Sequence, residues 1–122
     1  MNQYFKSIIE SDPMPIVICD LNHTILFMNK AAITRYQKHG GSILIGRSLL
    51  DCHNDESKNR INETLSWFMK SKENNSIFTT HNEKDNKDFY LYAIRDESGY
   101  LIGYYEKHES RVKESKKPYL MG

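Results

Sequence analysis

The stretch "FYLYAIRDESGYLIGYYE", residues 89–106, decides how this chain folds. On its first half, Phe89, Leu91 and Ala93 alternate with Tyr90, Tyr92 and Ile94, the period of a β-strand. "DESG" interrupts the pattern, with Gly99 where a tight hairpin needs positive φ, and "YLIGYYEKH" resumes it as a second strand. Both faces of the first strand are apolar or aromatic. One is expected to cover the core. The other needs cover as well, from an N-terminal helix or a partner chain, because a broad exposed apolar patch marks an interaction surface. Gly103 leaves a gap in the second strand, which predicts close approach of another backbone or a ligand.

Upstream, "SIFTTHN" reads as another strand, separated from the hairpin by the polar loop "NEKDNK". Ser57 to Lys70 reads as the longest helix, with Ile61, Leu65 and Phe68 on one narrow apolar face. Trp67 points away from that face, as a lid or interface residue would, and "SKENN" closes the helix. Ile16–Asp20 and Thr24–Met28 read as two short strands joined by the turn "DLNH". Asn29 then serves as N-cap to a short helix in "KAAITRY", which ends before Gly40 and Gly41. "SILIGRSLL" is irregular or one helical turn, with a kink at Gly46. Near the start, Gln3 to Ser11 forms an amphipathic helix with Tyr4, Phe5, Ile8 and Ile9 on one stripe, ended by "DPMP". The chain thus divides into an N-terminal helix (1–12), a core (13–109) and a basic C-terminal tail (110–122), the tail being a frayed terminus or a docking segment.

A chain of 122 residues suits one domain with one core and leaves room for a small internal cavity. Its net charge of +1 gives no broad field to favour nucleic acid or an anionic membrane. No apolar run approaches the roughly 18 residues of a membrane span. The start "MNQYFKSIIESD" lacks the basic and apolar regions of a secretory signal. Cys19 and Cys52 do not make a disulfide framework, and Cys19, inside "PIVICD", reads as a small core residue. These features point to a cytoplasmic setting.

The polar segment "DCHNDES" places Cys52 beside His53. Structural zinc takes about four ligands in paired spacings, whereas His23, His39, His81 and His108 are scattered. A nucleophilic cysteine needs a base within reach and an electropositive setting, and adjacency in sequence supplies neither. The pair is therefore read as the bend that feeds the long helix, with no metal and no catalytic residue assigned. Strand interiors carry no acid away from their ends, and His81 is the best remaining candidate for a perturbed catalytic group. Solvent exposure suits His81 better, so the chain is not read as an enzyme.

The ordered set of segments resembles a PAS domain. "PIVICDLNHTILFMNKAA" resembles that family's opening hairpin, with Asn29 at the position of the Asn often seen before the first helix. "LIGRSLLD" resembles its Gly-Arg step into the long helix, and "FYLYAIRDESGYLIGYYE" its closing hairpin. The likeness runs from about Pro13 to Glu109. Asn22-His23 replaces the usual glycine of the first turn, and the Asp-Ile-Thr ending that leads into a signalling helix is absent.

The resemblance implies an α+β fold: an antiparallel five-stranded sheet with short helices and one longer helix packed on one face. It implies a bacterial sensory module that binds a small apolar ligand or cofactor in an internal pocket and signals through a homodimer or a protein partner. Ile18, Phe27, Ile33, Leu44, Leu49, Ile61, Leu65, Phe68, Phe78, Leu91 and Tyr105 are the residues expected to line that pocket. A fully packed scaffold that acts only through contacts is the alternative. Flavin-binding photosensory relatives carry a cysteine in an Asn-Cys-Arg motif after the Gly of the Gly-Arg step. Here Arg47-Ser48-Leu49 follows Gly46, so no flavin adduct is expected. Haem-binding relatives take an axial histidine from the long helix. This helix has none, which leaves His53 as the substitute in a second alternative, a haem-based gas or redox sensor.

Overall fold

The alternation of residues 89–106 builds two long antiparallel strands, β4 (Lys87–Arg95) and β5 (Leu101–Ser110). Gly99, at φ +88°, closes the turn between them, where Asp96 Oδ1 accepts from the amides of Ser98 and Tyr100. The computed structural model describes residues 2–122, so residue 1 of the expected N-terminal segment lies outside the described residues. Around the hairpin, the sheet is completed by β1 (Ile16–Asp20), β2 (Ile25–Met28) and β3 (Ser76–Asn82) in the order β2-β1-β5-β4-β3, all antiparallel. The helices are α1 (Gln3–Ser11), α2 (Lys30–Arg35) and α3 (Asp55–Lys70), with three short 3-10 segments between α2 and α3. None is long and apolar enough to cross a membrane.

Gly103 is required by the pairing of β1 with β5. A Cβ there would lie 2.4 Å from the carbonyl oxygen of Cys19, and backbone cannot swing aside as a flexible side chain does. The core forms on one face of the sheet, where Val17, Cys19, Ile25, Met28, Leu91 and Tyr104 meet Ile61, Leu65 and Phe68 of α3. Phe68 and Tyr104 are wholly buried. Each large apolar side chain so removed from water contributes roughly 1.5–3 kcal/mol.

Local chemistry sets the ends of the helices. Asn54 caps α3 by accepting from the amide of Ser57, and Asp55 and Glu56 in the first turn suit the helix dipole, so α3 begins two residues before the expected Ser57. At its far end the guanidinium of Arg95 donates to the carbonyls of Phe68 and Ser71, which the helix end would leave unpaired, and to that of Asn74 in the turn beyond. Asn29 caps α2 as expected and does more. It is fully buried, its Oδ1 accepts from Ala32 N and Ile16 N, and its Nδ2 donates to the carbonyls of Ile9 and Met14. One side chain thus joins α1, β1 and α2.

Three of the four stripe residues on α1 stay exposed, Tyr4, Phe5 and Ile8 at 71, 63 and 67%, and only Ile9 is half-buried. α1 is held instead at its C-terminal end, through Asn29 and through Glu10 Oε1, which accepts from Lys30 N. On the sheet face away from the core, Tyr90, Tyr92 and Tyr105 stack in a row with ring centroids 5.8 and 4.8 Å apart.

Candidate functional site

Strand alternation along β5 carries Tyr104, Glu106 and His108 to the inner face of the sheet. Glu106 sits mid-strand, because β5 runs on to Ser110. Its Oε1 accepts a 2.7 Å hydrogen bond from the Tyr36 hydroxyl and a 3.3 Å bond from His108 Nε2. Tyr36 arrives there as the C-cap of α2, and His108 stacks on its cross-strand partner Phe89 at 3.7 Å between centroids. Burial alone would raise the Glu106 pKa. The bonds from His108 and Tyr36, with the charges of His108 and His53, outweigh it and hold the carboxyl below its ordinary value. The same burial, with the Glu106 charge beside it, pushes the Tyr36 phenol far above its ordinary range, so Tyr36 is a hydrogen-bond donor and not a base.

Glu106 lines two cavities. The larger, about 460 Å³, has apolar walls from Val17, Ile25, Met28, Leu44 and Leu49, and polar ones from Tyr36, Ser48, Cys52, His53 and Glu106. Exposed His39, Arg47 and Asp51 stand at its rim. The smaller, about 210 Å³, lies between α3 and strands β3 and β4 and includes Ser57, Arg60, Ile61, Thr64, Thr80, Phe89 and Leu91. His53 and Glu106 belong to both and form the partition between them. His53 follows the 3-10 turn Leu49–Cys52 and precedes the α3 cap, so Cys52-His53 is a bend before the long helix. His53 Nδ1 donates to the Leu49 carbonyl at 2.8 Å, which fixes the proton on that nitrogen.

The residues expected to line one pocket divide among several places. Leu44, Leu49 and His53 line the larger cavity, and Ile61 and Leu91 the smaller. Leu65 and Phe68 are packed core, and Ile33 packs against its edge. Ile18, Phe27 and Tyr105 require correction: they pair with one another across β2, β1 and β5 on the sheet face away from the core. Phe78 is also misplaced, being 55% exposed beside Tyr90. The reason is parity. "IVICD" is apolar at four successive positions, so the sequence offers no alternation to say which side chains turn inward.

A second correction concerns acids. Glu106 is an acid inside a strand, and the cavity it lines is therefore not the purely apolar one expected. The strand "YLIGYYEKH" already held the alternation Tyr104, Glu106, His108; treating its last residues as a polar end passed over the acid. Sequence reading also missed His23. It takes φ +67° where the turn departs from glycine, and it is buried, with Nε2 donating to Asn62 Oδ1 at 2.9 Å and Nδ1 accepting from the Tyr104 hydroxyl at 2.8 Å. His81 lies at the surface against Asp88, 2.6 Å away. Cys19 is buried, which pushes its thiol up to about 12, whereas Cys52 is exposed.

A family model described as the PAS fold matches residues 9–107. No curated protein matches the chain. Several solved structures resemble it. A PAS domain of a Colwellia psychrerythraea protein is 14% identical over 88% of this chain and 94% of that one, with a TM-score of 0.65. The PAS domain of Bordetella pertussis BvgS is 17% identical over 93% and 87%, with a TM-score of 0.61. Vibrio cholerae VqmA, in a structure bound to DPO, is 14% identical over 91% of this chain and 58% of its own, with a TM-score of 0.61. At such identities the likeness carries the fold alone.

Proposed function

The chain belongs to the PAS fold family, whose domains are sensory and regulatory modules, and from that premise we propose that it admits a small molecule beside Glu106 and relays the bound state through protein contacts. The observation that supports this reading is the cavity of about 460 Å³ between the sheet and the segment leading into α3, within the size range of small-molecule sites. Residues 13–109 are then the binding core, with Leu44, Leu49 and His53 among its contacts and Ile61 and Leu91 in the adjoining chamber. The scaffold alternative needs a filled core, which these cavities disfavour. The relay is assigned to a second copy of the chain. The exposed stripe of α1 and the aromatic row on the outer face of the sheet are two apolar surfaces that no helix covers among the described residues, and a two-fold dimer is the commonest way to bury such surfaces. The setting proposed is cytoplasmic, the role regulatory and not enzymatic.

Native mass spectrometry of the protein as purified tests the binding. A bound small molecule is expected, displaced in Leu49→Trp, which fills the cavity. A wild type with no bound mass would favour the packed scaffold. For the dimer, deletion of residues 1–12 should give a monomer or an aggregate by light scattering, and an unchanged dimer refutes this interface.

One observation favours a second reading. With its Nδ1–H fixed on the Leu49 carbonyl, His53 has the orientation that metal-bound imidazoles commonly receive, and its Nε2 has no hydrogen-bond partner among the described residues. His53 would hold haem there, and haem would supply an iron for binding a diatomic gas or for one-electron redox chemistry. A sharp Soret band after haemin addition, lost in His53→Ala, would establish it in place of the first reading.

A further inference from the structure

Glu106 spends one of its two carboxylate oxygens on the fold. Oε1 takes both internal bonds, from Tyr36 and His108, and Oε2 has no partner among the described residues. The 18% of the side chain that stays accessible lies on the wall of the two cavities it lines. An ionised carboxylate has about four acceptor positions, so Oε2 keeps acceptor capacity facing a partly open, partly apolar cavity, where a donor carried by a ligand can meet it. The groups facing Glu106 do not supply the missing donor, and Arg60, which shares the smaller cavity with it, is exposed and forms no ion pair with it. Tyr36 and His108 are engaged at Oε1, and His53 directs its Nδ1–H to the Leu49 carbonyl. The guanidinium of Arg47 is exposed at the rim and forms no ion pair with Glu106.

One wall of the larger cavity is apolar, with Val17, Ile25, Met28, Leu44 and Leu49, and faces a polar side of Tyr36, Ser48, Cys52, His53 and Glu106. The pattern, an apolar wall facing a carboxylate set inside the cavity while Asp51, Arg47 and His39 stay exposed at its rim, defines a ligand by complement: an apolar body carrying an N–H donor. Building on the reading of this cavity as a ligand site, we propose that it selects compact organic amines, whose ammonium or amine N–H donates to Oε2 of Glu106. Carboxylate ligands are rejected by the same charge, and hydrocarbons of equal shape leave Oε2 unmatched.

Benzylamine and toluene, alike in shape and different at one group, test this by calorimetric titration of the full chain. Wild type should bind benzylamine at least about tenfold more tightly than toluene, the worth of one hydrogen bond to a charged group, and Glu106→Gln should erase that preference. Equal affinity for the two probes in wild type, or a preference that survives in Glu106→Gln, overturns the amine assignment. Should Glu106→Gln fail to fold, the ¹³C resonance of the Glu106 carboxyl in wild type reports instead. Benzylamine must shift it and toluene must not, and an unmoved resonance overturns the proposal. If neither probe binds while native mass spectrometry still finds a bound molecule, the amine class alone is wrong. If neither binds and no bound mass is found, the cavity reading falls with it.

Discussion

Replacing Asn29 by alanine should cost about 3–5 kcal/mol and loosen the first helix from the core. The magnitude follows from five hydrogen bonds made by one buried side chain, four of them at 2.9–3.0 Å and one, to the Asp12 carbonyl, at 3.4 Å. Loss of the cap on α2 costs about 1 kcal/mol. The amide of Ile16, buried at the start of β1, loses its acceptor and has no water to replace it, at about 1–3 kcal/mol. The carbonyls of Ile9 and Met14 lie in half-buried residues and recover part of their bonding from water, which leaves roughly 1 kcal/mol. A net stability of about 5–15 kcal/mol is usual, so the loss is a large share of it. Asn29→Asp sharpens the test. It keeps Oδ1 for Ile16 and Ala32, but sets a second charged oxygen against the carbonyls of Ile9, Asp12 and Met14, where an NH₂ had donated. At pH 7 it should be at least as unstable as the alanine variant. Burial among carbonyls raises the pKa of that new carboxyl, so the neutral form binds its proton more tightly in the fold than in the unfolded chain. The variant should therefore regain stability as pH falls toward the acid range, where the protonated carboxyl can donate again. Urea melts followed by circular dichroism give the free energies, and hydrogen exchange of the α1 amides shows whether the helix has come loose. A loss below about 1 kcal/mol in Asn29→Ala, set against the cap alone, or α1 amides that exchange as in wild type, would falsify the linking role.

Gly103→Ala should destabilise by about 1–3 kcal/mol or more with an unchanged urea m-value, since its Cβ meets a backbone oxygen; a melt within 0.5 kcal/mol of wild type, the usual scatter of about that size for neutral sites, contradicts the close approach. Leu65→Ala should cost about 2–5 kcal/mol and His53→Ala less than about 1 kcal/mol, because Leu65 is packed core and His53 a half-buried bend residue; equal costs in denaturant melts would count against this division. Acid should weaken the fold through Glu106. Its folded pKa is depressed, so its contribution is full above the ordinary value of 4.5 and is lost as pH falls through the lower folded value. Urea midpoints of wild type should then drop below pH 4.5 more steeply than those of Glu106→Gln. Native protein should react with a thiol reagent at Cys52 only, and unfolded protein at Cys19 as well, as titration with Ellman's reagent can count.

The family and the fold were legible in the sequence because their signals are local. The span Gln3–Ser11, the strand Ile16–Asp20, the cap at Asn29 and the strand Ser76–Asn82 each follow from periodicity or a capping side chain within a few residues. Gly103 announced a close approach by the side chain it lacks, and β1 is the backbone that approaches. Boundaries erred where capping outweighed the apolar pattern, as at the start of α3, and by two residues at the end of β5, which runs past the expected His108 to Ser110.

The site was legible only in part. Seven of the eleven residues expected in the pocket line neither cavity: Ile18, Phe27, Tyr105 and Phe78 for want of alternation, and Leu65, Phe68 and Ile33 because they pack in or against the core. What the sequence determined alone was the set of elements and their order, since each is written in a period of two or 3.6 residues. What only the tertiary structure decided was which face of β1 and β5 turns inward, and so which polar groups meet. Tyr36 and Glu106 stand 70 residues apart, and nothing near either one specifies the other. They meet because β1 pairs with β5 at the centre of the sheet, placing the end of α2 over the inner face of β5, and long-range pairing of that kind is set by the packing of the whole chain.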